Sequence, residues 1–154
     1  MADHTPTLGF LLHDVARLLR KRFEQNARGS GLTRSQWQVL AYLERNQGIH
    51  QGGLADLLDV EPITLTRIVD KLEALGLLER FPHPSDRRVR LLRLTPAAHD
   101  KLIQMHRLGE TTRAEALAGL SEADQRQLLA TLQTLKTNLA DALEGPAMKR
   151  ASNG

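Results

Sequence analysis

Basic side chains concentrate in one stretch of this sequence, residues 60–95. That stretch holds seven Lys and Arg against five Asp and Glu, a net charge of +2, whereas residues 109–144 hold three against six, a net charge of −3. Arginine and lysine bind phosphate groups, and arginine also donates two parallel hydrogen bonds to guanine. The excess is therefore typical of a surface that binds nucleic acid. Its basic residues are Arg67, Lys71, Arg80, Arg87, Arg88, Arg90 and Arg93.

Other kinds of chemistry have little support in the sequence. The chain has no cysteine, which removes disulfides, Cys-ligated zinc, iron–sulfur clusters and thiol-based redox sensing. None of the common nucleophile, metalloprotease or phosphate-loop motifs occurs. The six histidines include no pair four residues apart on one predicted helix. We therefore expect a protein that is not an enzyme and that holds no cofactor or metal ion.

The composition predicts a single, mainly helical domain. The chain has 154 residues and a formal net charge of +3. Leucine supplies 29 residues while valine and isoleucine together supply nine, which favours helices because β-branched side chains lose rotamer freedom there. The first ten residues lack the pattern of a secretory signal, and no apolar run approaches the roughly 18 residues that cross a membrane. We expect a cytoplasmic protein without a membrane partner.

Two short helices around a tight turn carry the first of these bases. Apolar spacing predicts helices over residues 51–58 and 62–75, and the three-residue turn between them is typical of a helix-turn-helix. Proline suits the first turn of the second helix, and Gly76 suits the position after its end. The second helix is predicted to bury Ile68, Val69, Leu72 and Leu75. Its outer face is then Pro62, Ile63, Thr64, Thr66, Arg67 and Lys71.

A β-hairpin with a basic tip is predicted directly after the helix-turn-helix. Residues 77–81 have the pattern of a strand, prolines prevent residues 82–86 from continuing it, and residues 88–94 form the return strand. Val89 and Leu91 then lie on one face of the return strand, and Arg88 and Arg90 on the other. A basic hairpin in this position is the wing of a winged helix-turn-helix, which occupies residues 33–95.

Helices are predicted on both sides of the winged helix. One covers residues 7–28, and Thr33 opens the next as an N-cap with Gln36 as its capping-box partner. Thr95 is the predicted N-cap of a helix that ends near residue 118. Ser121 is that of the last helix, which ends near residue 144 and leaves residues 145–154 as a disordered tail. The last helix repeats leucine at four- and three-residue steps, a seam that either joins two chains or packs inside one: Leu128, Leu132, Leu135, Leu139 and Leu143.

These motifs occur together, and in the same order, in one known family. Through GLTRSQWQVL, DVEPITLTRIVDKLEALGLLER and SDRRVRLLRLTPAA, the sequence between Gly31 and Leu102 resembles the MarR family of bacterial transcription factors. Within that family it looks closest to the SlyA-like branch, through Trp37, Arg67 and the Asp-Arg-Arg of the wing. The resemblance implies a winged helix-turn-helix flanked by dimerisation helices at residues 7–28 and 96–144.

The resemblance also implies a function. Members of the family are homodimers that regulate transcription, most often as repressors, by binding pseudo-palindromic sites in double-stranded DNA. Many release DNA when a small, often phenolic or carboxylic, ligand binds between the dimer helices and the winged helix. In this sequence that crevice would be lined by His13, Arg17, Arg20, Thr33 and Trp37.

Two groups of residues are then expected to contact DNA. The helix over residues 62–75 enters the major groove, where Arg67 reads guanine and its exposed neighbours contact bases or phosphate. In the family, an Asp-x-Arg at the hairpin tip places the arginine in the minor groove while the aspartate holds its guanidinium, and Asp86 and Arg88 match that pattern. Arg87 joins Arg88 or meets phosphate, and Arg90 meets phosphate or is an ordinary strand charge.

Each assignment has a plainer alternative. Trp37 could be a core residue and Arg17 part of an interface ion pair. The charged residues of the winged helix could form only surface ion pairs, which contribute little: Arg67 with Asp70, Lys71 with Glu61, and Asp86 with Arg88. The alternative function is a winged-helix protein-interaction module that does not read DNA. Such a module would have no need of the basic tip.

Overall fold

The computed structural model describes residues 5–151. In this range the chain forms six helices and one two-stranded antiparallel hairpin, which confirms the predicted mainly helical fold with a small wing. None of the helices in this range is both long enough and apolar enough to cross a membrane. In chain order the elements are α1 (Leu8–Asn26), α2 (Arg34–Arg45), α3 (Gln51–Leu58), α4 (Pro62–Ala74), β1 (Leu78–Pro82), β2 (Arg90–Leu94), α5 (Ala98–Ala116) and α6 (Glu122–Ala151).

The chain divides after Arg113 into two compact units. The first contains one hydrophobic core, built mainly by α2, α3, α4, the hairpin and α5. Its largest fully buried side chains are Val39, Leu40, Leu43, Leu54, Leu65, Val69, Leu72, Leu78 and Leu92. The prediction that Leu75 joins this core is wrong. That residue is the C-cap of α4, beyond the last turn that faces the core, and its side chain is exposed.

Side-chain caps mark two of the helix starts that the sequence predicts. The capping box of α2 is confirmed, because Thr33 Oγ1 accepts from the Gln36 N–H at 3.2 Å and Gln36 Oε1 accepts from the Thr33 N–H at 2.9 Å. Ser121 caps α6, since its hydroxyl oxygen accepts from the Asp124 N–H at 3.1 Å. Both caps satisfy backbone donors that the helix itself leaves free.

The predicted N-cap of α5 is wrong. The Thr95 hydroxyl donates to the Gly76 carbonyl oxygen, and α5 begins three residues later, at Ala98. The Thr95 N–H also donates to the Leu77 carbonyl oxygen, at 3.2 Å. These two bonds hold Thr95 against the chain that leaves α4, and α5 begins beyond it.

The turn of the helix-turn-helix uses two local devices. The His50 Nδ1 atom accepts from the Gly53 N–H at 2.9 Å and so caps the start of α3. At the other end of α3, Asp59 adopts the left-handed conformation, with φ of 52°. Aspartate tolerates this conformation better than most residues, because its short polar side chain bonds locally. The chain then enters α4 at Pro62, as predicted.

The wing is shorter on its return strand than predicted. β2 begins at Arg90 rather than residue 88, because residues 86–89 form a turn that the Val89 N–H closes on the Asp86 carbonyl oxygen at 3.0 Å. Leu92 is the fully buried residue of β2, and its N–H donates to the Ile49 carbonyl oxygen at 2.9 Å. The segment before α3 therefore holds the wing from its far side.

The prediction that Pro82 lies outside the first strand is also wrong. Pro82 is the last residue of β1 and pairs with Arg90. The next residue, His83, donates its N–H to the Val89 carbonyl oxygen at 3.1 Å. Alternate residues of a strand point to opposite edges, so the Pro82 nitrogen faces away from β2 and the ladder loses no donor there.

α1 presents a long apolar face that its own unit does not cover. None of the 19 residues of this fully described helix is buried. Seven of its large apolar side chains are exposed: Leu8, Phe10, Leu11, Leu12, Val15, Leu18 and Leu19. Phe23, near the end of the helix, is the exception, because its ring lies edge-on to Trp37 with the centroids 6.4 Å apart.

α6 also keeps much of its leucine seam in the open. Leu128, Leu139 and Leu143 are exposed, and Leu132 and Leu135 are half-buried. The predicted end of the helix near residue 144 is wrong, because α6 continues to Ala151. Pro146 removes one backbone donor, but the residues after it are Ala, Met, Lys and Arg, which favour helix. The rest of the predicted disordered tail, residues 152–154, lies outside the described residues.

Two apolar neighbours on α4 test this core. Leu65 is fully buried, whereas the Ile63 side chain is 62% exposed. We expect Leu65→Ala to lower the free energy of unfolding by about 2–5 kcal/mol, because it opens a cavity in the core. The matched change Ile63→Ala should have an effect of less than about 0.5 kcal/mol, as for other surface substitutions. Urea unfolding measures both values, and equal losses would contradict this core.

Candidate nucleic-acid interface

The tip of the wing is a compact Asp-x-Arg turn. One oxygen of Asp86, Oδ1, accepts from the Arg88 N–H at 3.1 Å and from Arg88 Nε at 3.2 Å. The Arg88 side chain nevertheless remains 91% exposed, so its guanidinium is directed by the carboxylate without being buried by it. The geometry leaves both terminal nitrogens of Arg88 available to a ligand.

This arrangement changes the acidity of Asp86. The backbone N–H of Arg88 and then its guanidinium hold the pKa of the Asp86 carboxyl below its ordinary value, and His83 adds a smaller effect in the same direction. The lowered pKa extends the pH range in which the carboxylate is ionised, and in which it pairs with Arg88, to more acidic values.

The outer face of α4 stands open as predicted, with one exception. Pro62, Ile63, Thr64, Arg67 and Lys71 are exposed. Thr66 is half-buried, and its hydroxyl is engaged twice: it donates to the Pro62 carbonyl oxygen and accepts from Gln51 Nε2, both at 2.9 Å. The structure therefore gives the Thr66 side chain a partner on α3 rather than leaving it free on the outer face.

Three acidic residues of α4 and the wing are paired with two arginines. Arg80 contacts Asp70 at 2.6 Å and Glu73 at 3.0 Å, and Arg93 contacts Glu79 at 2.5 Å. The Arg93 guanidinium also lies 4.4 Å from the centre of the Phe81 ring. Since Arg80 holds Asp70, the alternative in which Arg67 pairs with Asp70 does not occur.

Four bases remain for a ligand. Among the residues that the structure describes, no carboxylate pairs with Arg67, Lys71, Arg87 or Arg90. The predicted Lys71–Glu61 alternative is therefore also absent from this part of the chain. Together with Arg88, which Asp86 pairs at the tip, these side chains form a basic surface on α4 and the wing.

Arg80 is the residue whose role the sequence reasoning missed. Its charge alone groups it with the other bases, yet it lies opposite Leu92 in the hairpin and only 18% of its side chain is exposed. A signal was present in the sequence. Strand alternation places Arg80 on the same face as Leu78, and an arginine on an inward face needs carboxylate partners.

Comparisons with known proteins agree with this architecture. The sequence model of the MarR family matches residues 30–89. The crystal structure of apo wild-type MarR from E. coli is 27% identical in sequence, covers 86% of this chain and 98% of its own, and superposes with a TM-score of 0.78. The chain therefore has the MarR fold.

Two further solved structures show the same likeness. A mutant MarR from E. coli, crystallised in complex with operator DNA, is 28% identical, with a TM-score of 0.70 over 83% of this chain and 92% of its own. A probable transcriptional regulator from Pseudomonas aeruginosa is 29% identical, with a TM-score of 0.69 over 84% of this chain and 96% of its own.

The predicted ligand residues lie in different environments in the single chain. His13, Arg17 and Arg20 are exposed on α1, where Arg17 pairs weakly with Asp14 at 3.6 Å. Thr33 is engaged in the capping box of α2. Trp37 lies in the core and donates from Nε1 to Ser30 Oγ at 3.2 Å. A single chain thus supplies an open charged face on α1 and a buried tryptophan, which agrees with the plainer alternative for Trp37.

A groove of about 320 Å³ lies instead between the wing and the start of α3. It is open to solvent and borders the basic surface described above. Its lining residues are His50, Gln51, Gly52, Arg88, Val89 and Arg90.

The wing tip of the MarR fold makes a prediction for pH. Because the pKa of Asp86 is lowered, the Asp86–Arg88 contact should be complete above the ordinary carboxyl pKa of about 3.9 and be lost only as pH falls through the lowered value. Carbon-13 NMR of the Asp86 carboxyl measures this titration. Arg88→Ala should raise the pKa only in part, since the backbone N–H remains, and Arg87→Ala should not change it. An Asp86 that titrates at or above its ordinary value would contradict this geometry.

Proposed function

We propose that this chain is a homodimeric, sequence-specific regulator of transcription that binds double-stranded DNA, and that it acts as a repressor in the cytoplasm. The observation that carries the proposal is Arg88, which Asp86 supports and which is exposed at the wing tip. The exposed bases of α4, Arg67 and Lys71, agree with it. Support also comes from the MarR fold and from the related mutant MarR that was crystallised with operator DNA.

The two parts of the basic surface suit different grooves. α4 is a helix with exposed side chains in its first turns, and a helix of this kind fits the major groove, where Arg67 donates to guanine. A narrow A·T-rich minor groove concentrates negative potential, and the directed guanidinium of Arg88 fits it. Arg87 and Arg90 are placed to meet the phosphates on either side, while Pro62, Ile63 and Thr64 border the bases.

The homodimer is proposed from two apolar surfaces. The seven exposed apolar side chains of α1 and the exposed leucines of α6 leave much apolar area in water, and large patches of this kind mark interfaces. A second copy of the chain supplies matching helices, because a twofold interface uses the same surface of both partners. Two winged helices related by that axis would then read a pseudo-palindromic site.

The proposal also includes a small ligand whose binding relieves repression. His13, Arg17 and Arg20 offer positive charge on an open helix face, which suits a carboxylate or phenolate group. Thr33 and the buried Trp37 would contribute only through the second copy or through a rearranged core. The SlyA-like assignment, drawn from Trp37, Arg67 and the wing, likewise stays a prediction.

The direct test is a DNA mobility shift on the region upstream of the chain's own gene. We expect specific binding that weakens steeply between two salt concentrations, because phosphate contacts release counterions. Hydroxyl-radical footprints should show twofold symmetry, with half-sites about one helical turn (~10 bp) apart. Binding that ignores sequence or salt would favour the protein-interaction module instead.

A matched pair of variants on α6 adds the dimer to this test. Leu139→Asp places a carboxylate in the leucine seam and should abolish dimerisation and DNA binding together, since an unpaired buried charge is costly. Thr137→Asp adds the same charge away from the seam and should retain both. Tight operator binding by a monomeric Leu139→Asp protein would overturn the dimer. Analytical ultracentrifugation measures the mass.

The geometry of the wing predicts effects on DNA binding that net charge alone does not. Arg88→Ala should weaken DNA binding by about 1–3 kcal/mol, mainly at sites with A·T-rich flanks. Arg67→Ala should cost a similar amount and relax the preference at one major-groove position of each half-site. Asp86→Ala should also weaken binding, because Arg88 loses the carboxylate that directs it.

The sign for Asp86 separates two accounts of the wing. If the hairpin were a non-specific phosphate patch, removal of an acid near DNA would strengthen binding. Fluorescence anisotropy at one fixed salt concentration compares the variants. Tighter binding by Asp86→Ala would show that the carboxylate does not direct Arg88 in the complex.

A further inference from the structure

Arg80 is the centre of a hydrogen-bond network that joins three elements. Its guanidinium donates from Nη2 to Asp70 at 2.6 Å, from Nη1 to Glu73 at 3.0 Å, and from Nε to Gln51 Oε1 at 3.1 Å. The Arg80 backbone N–H donates to the other Glu73 oxygen at 3.1 Å. One residue of β1 thus donates three hydrogen bonds to two carboxylates of α4 and one to an amide of α3.

The network continues through Gln51 to the start of α4. The Gln51 amide nitrogen donates to Thr66 Oγ1 at 2.9 Å, and the Thr66 hydroxyl donates to the Pro62 carbonyl oxygen at 2.9 Å. A continuous path therefore runs from the first turn of α4, across α3, to the wing and back to the last turns of α4.

The residues of α4 that join this network form one stripe of the helix. Pro62, Thr66, Asp70 and Glu73 follow each other at steps of four, four and three residues, which places them on one face. The exposed residues Ile63, Arg67 and Lys71 form the adjacent stripe, and Leu65, Val69 and Leu72 form the buried one. The roll of α4 about its axis is thus fixed by the core and by the network, and that roll decides where Arg67 points.

We propose that Arg80 is a positioning residue that holds the wing and α4 in one fixed geometry, so that both enter their grooves together. The inference rests on the proposed function, which it deepens. Arg80 does not itself contact DNA. Its guanidinium is 18% exposed and faces two carboxylates and an amide, whereas the exposed tip arginine, Arg88, is 91% exposed.

The proposal predicts coupling between two arginines that do not touch. If Arg80 keeps the wing in register with α4, the contribution of Arg88 depends on Arg80. If Arg80 is only another positive charge near phosphate, the two contributions are independent and their effects on binding add. A double-mutant cycle distinguishes these cases.

The variant that breaks the network must keep the net charge. Arg80→Met alone leaves Asp70 free to repel DNA, so the test uses Arg80→Met with Asp70→Asn, which removes one charge of each sign. Operator affinity is measured for the parent, for this pair, for Arg88→Ala, and for all three changes together. Arg87→Met is the control for loss of an exposed wing base.

The expected results separate position from charge. The pair should lower operator affinity about tenfold, which is the middle of the range for coupled contacts. Arg88→Ala should then cost less than about twofold in the pair, against about tenfold in the parent. Because Arg88 no longer meets DNA in the pair, the slope of log K against log salt should fall in the pair as it does in Arg88→Ala, with no further fall when all three changes are combined. Arg87→Met should also lower the slope by about one, because it removes an exposed base. Additive losses for Arg88→Ala in the parent and in the pair would overturn the inference.

A second measurement requires neither DNA nor the double variant Arg80→Met with Asp70→Asn. Because the chain has no cysteine, nitroxide labels at Ser85→Cys and Ala74→Cys report the distance from the wing to the end of α4, with unlabelled copies added in excess. We expect one narrow distance distribution in the parent and a broader or shifted one with Arg80→Met alone, which removes the side-chain link between the wing and α4 and needs no charge compensation in the absence of DNA. An unchanged distribution would refute the inference. Lack of specific DNA binding by the parent would refute the proposed function instead, and the distance measurement would still decide on Arg80.

Discussion

A guanidinium group on the inner face of a hairpin requires partners, and this constraint organises the winged helix. Arg80 lies opposite the fully buried Leu92, where a charge without partners would be costly. Asp70 and Glu73 supply the carboxylates, and both lie on α4. The hairpin and α4 are thereby held together by hydrogen bonds as well as by apolar packing. Hydrogen bonds fix the direction of the contact, which apolar packing does only through the fit of its side chains.

The same pairing determines where positive charge remains. Arg80 pairs with the two carboxylates of α4 and Arg93 pairs with Glu79, so Arg67, Lys71, Arg87 and Arg90 are left without a carboxylate partner among the described residues. Arg67 and Lys71 are the bases of α4 in this group. The same set of ion pairs therefore neutralises charge between the hairpin and α4 and leaves positive charge unpaired on the outer surface. That surface attracts phosphate, and Asp86 directs its most exposed arginine, Arg88.

Features set by near neighbours were predictable from the sequence, and features set by distant partners were not. The capping box at Thr33, the turn after α3 and the Asp-x-Arg tip depend on residues within a few positions of each other. The orientation of Thr95, by contrast, is set by its hydrogen bond to the Gly76 carbonyl oxygen. That of Arg80 is set by its bonds to carboxylates seven and ten residues away on another element. Charge and type alone gave no means of choosing between solvent, DNA and these partners. At the candidate site, the bases were identified, but their division into reading and supporting groups required the fold.

If α4 and the wing enter adjacent grooves as one unit, methylation protection should detect both contacts on the same DNA. Dimethyl sulfate modifies guanine N7 in the major groove and adenine N3 in the minor groove, so one experiment reports both. The account predicts paired protections in each half-site: guanine N7 under Arg67 and, at a fixed offset, adenine N3 under Arg88. Protection of guanine N7 with full reactivity at every adenine N3 would contradict it, because the wing would then lie outside the groove.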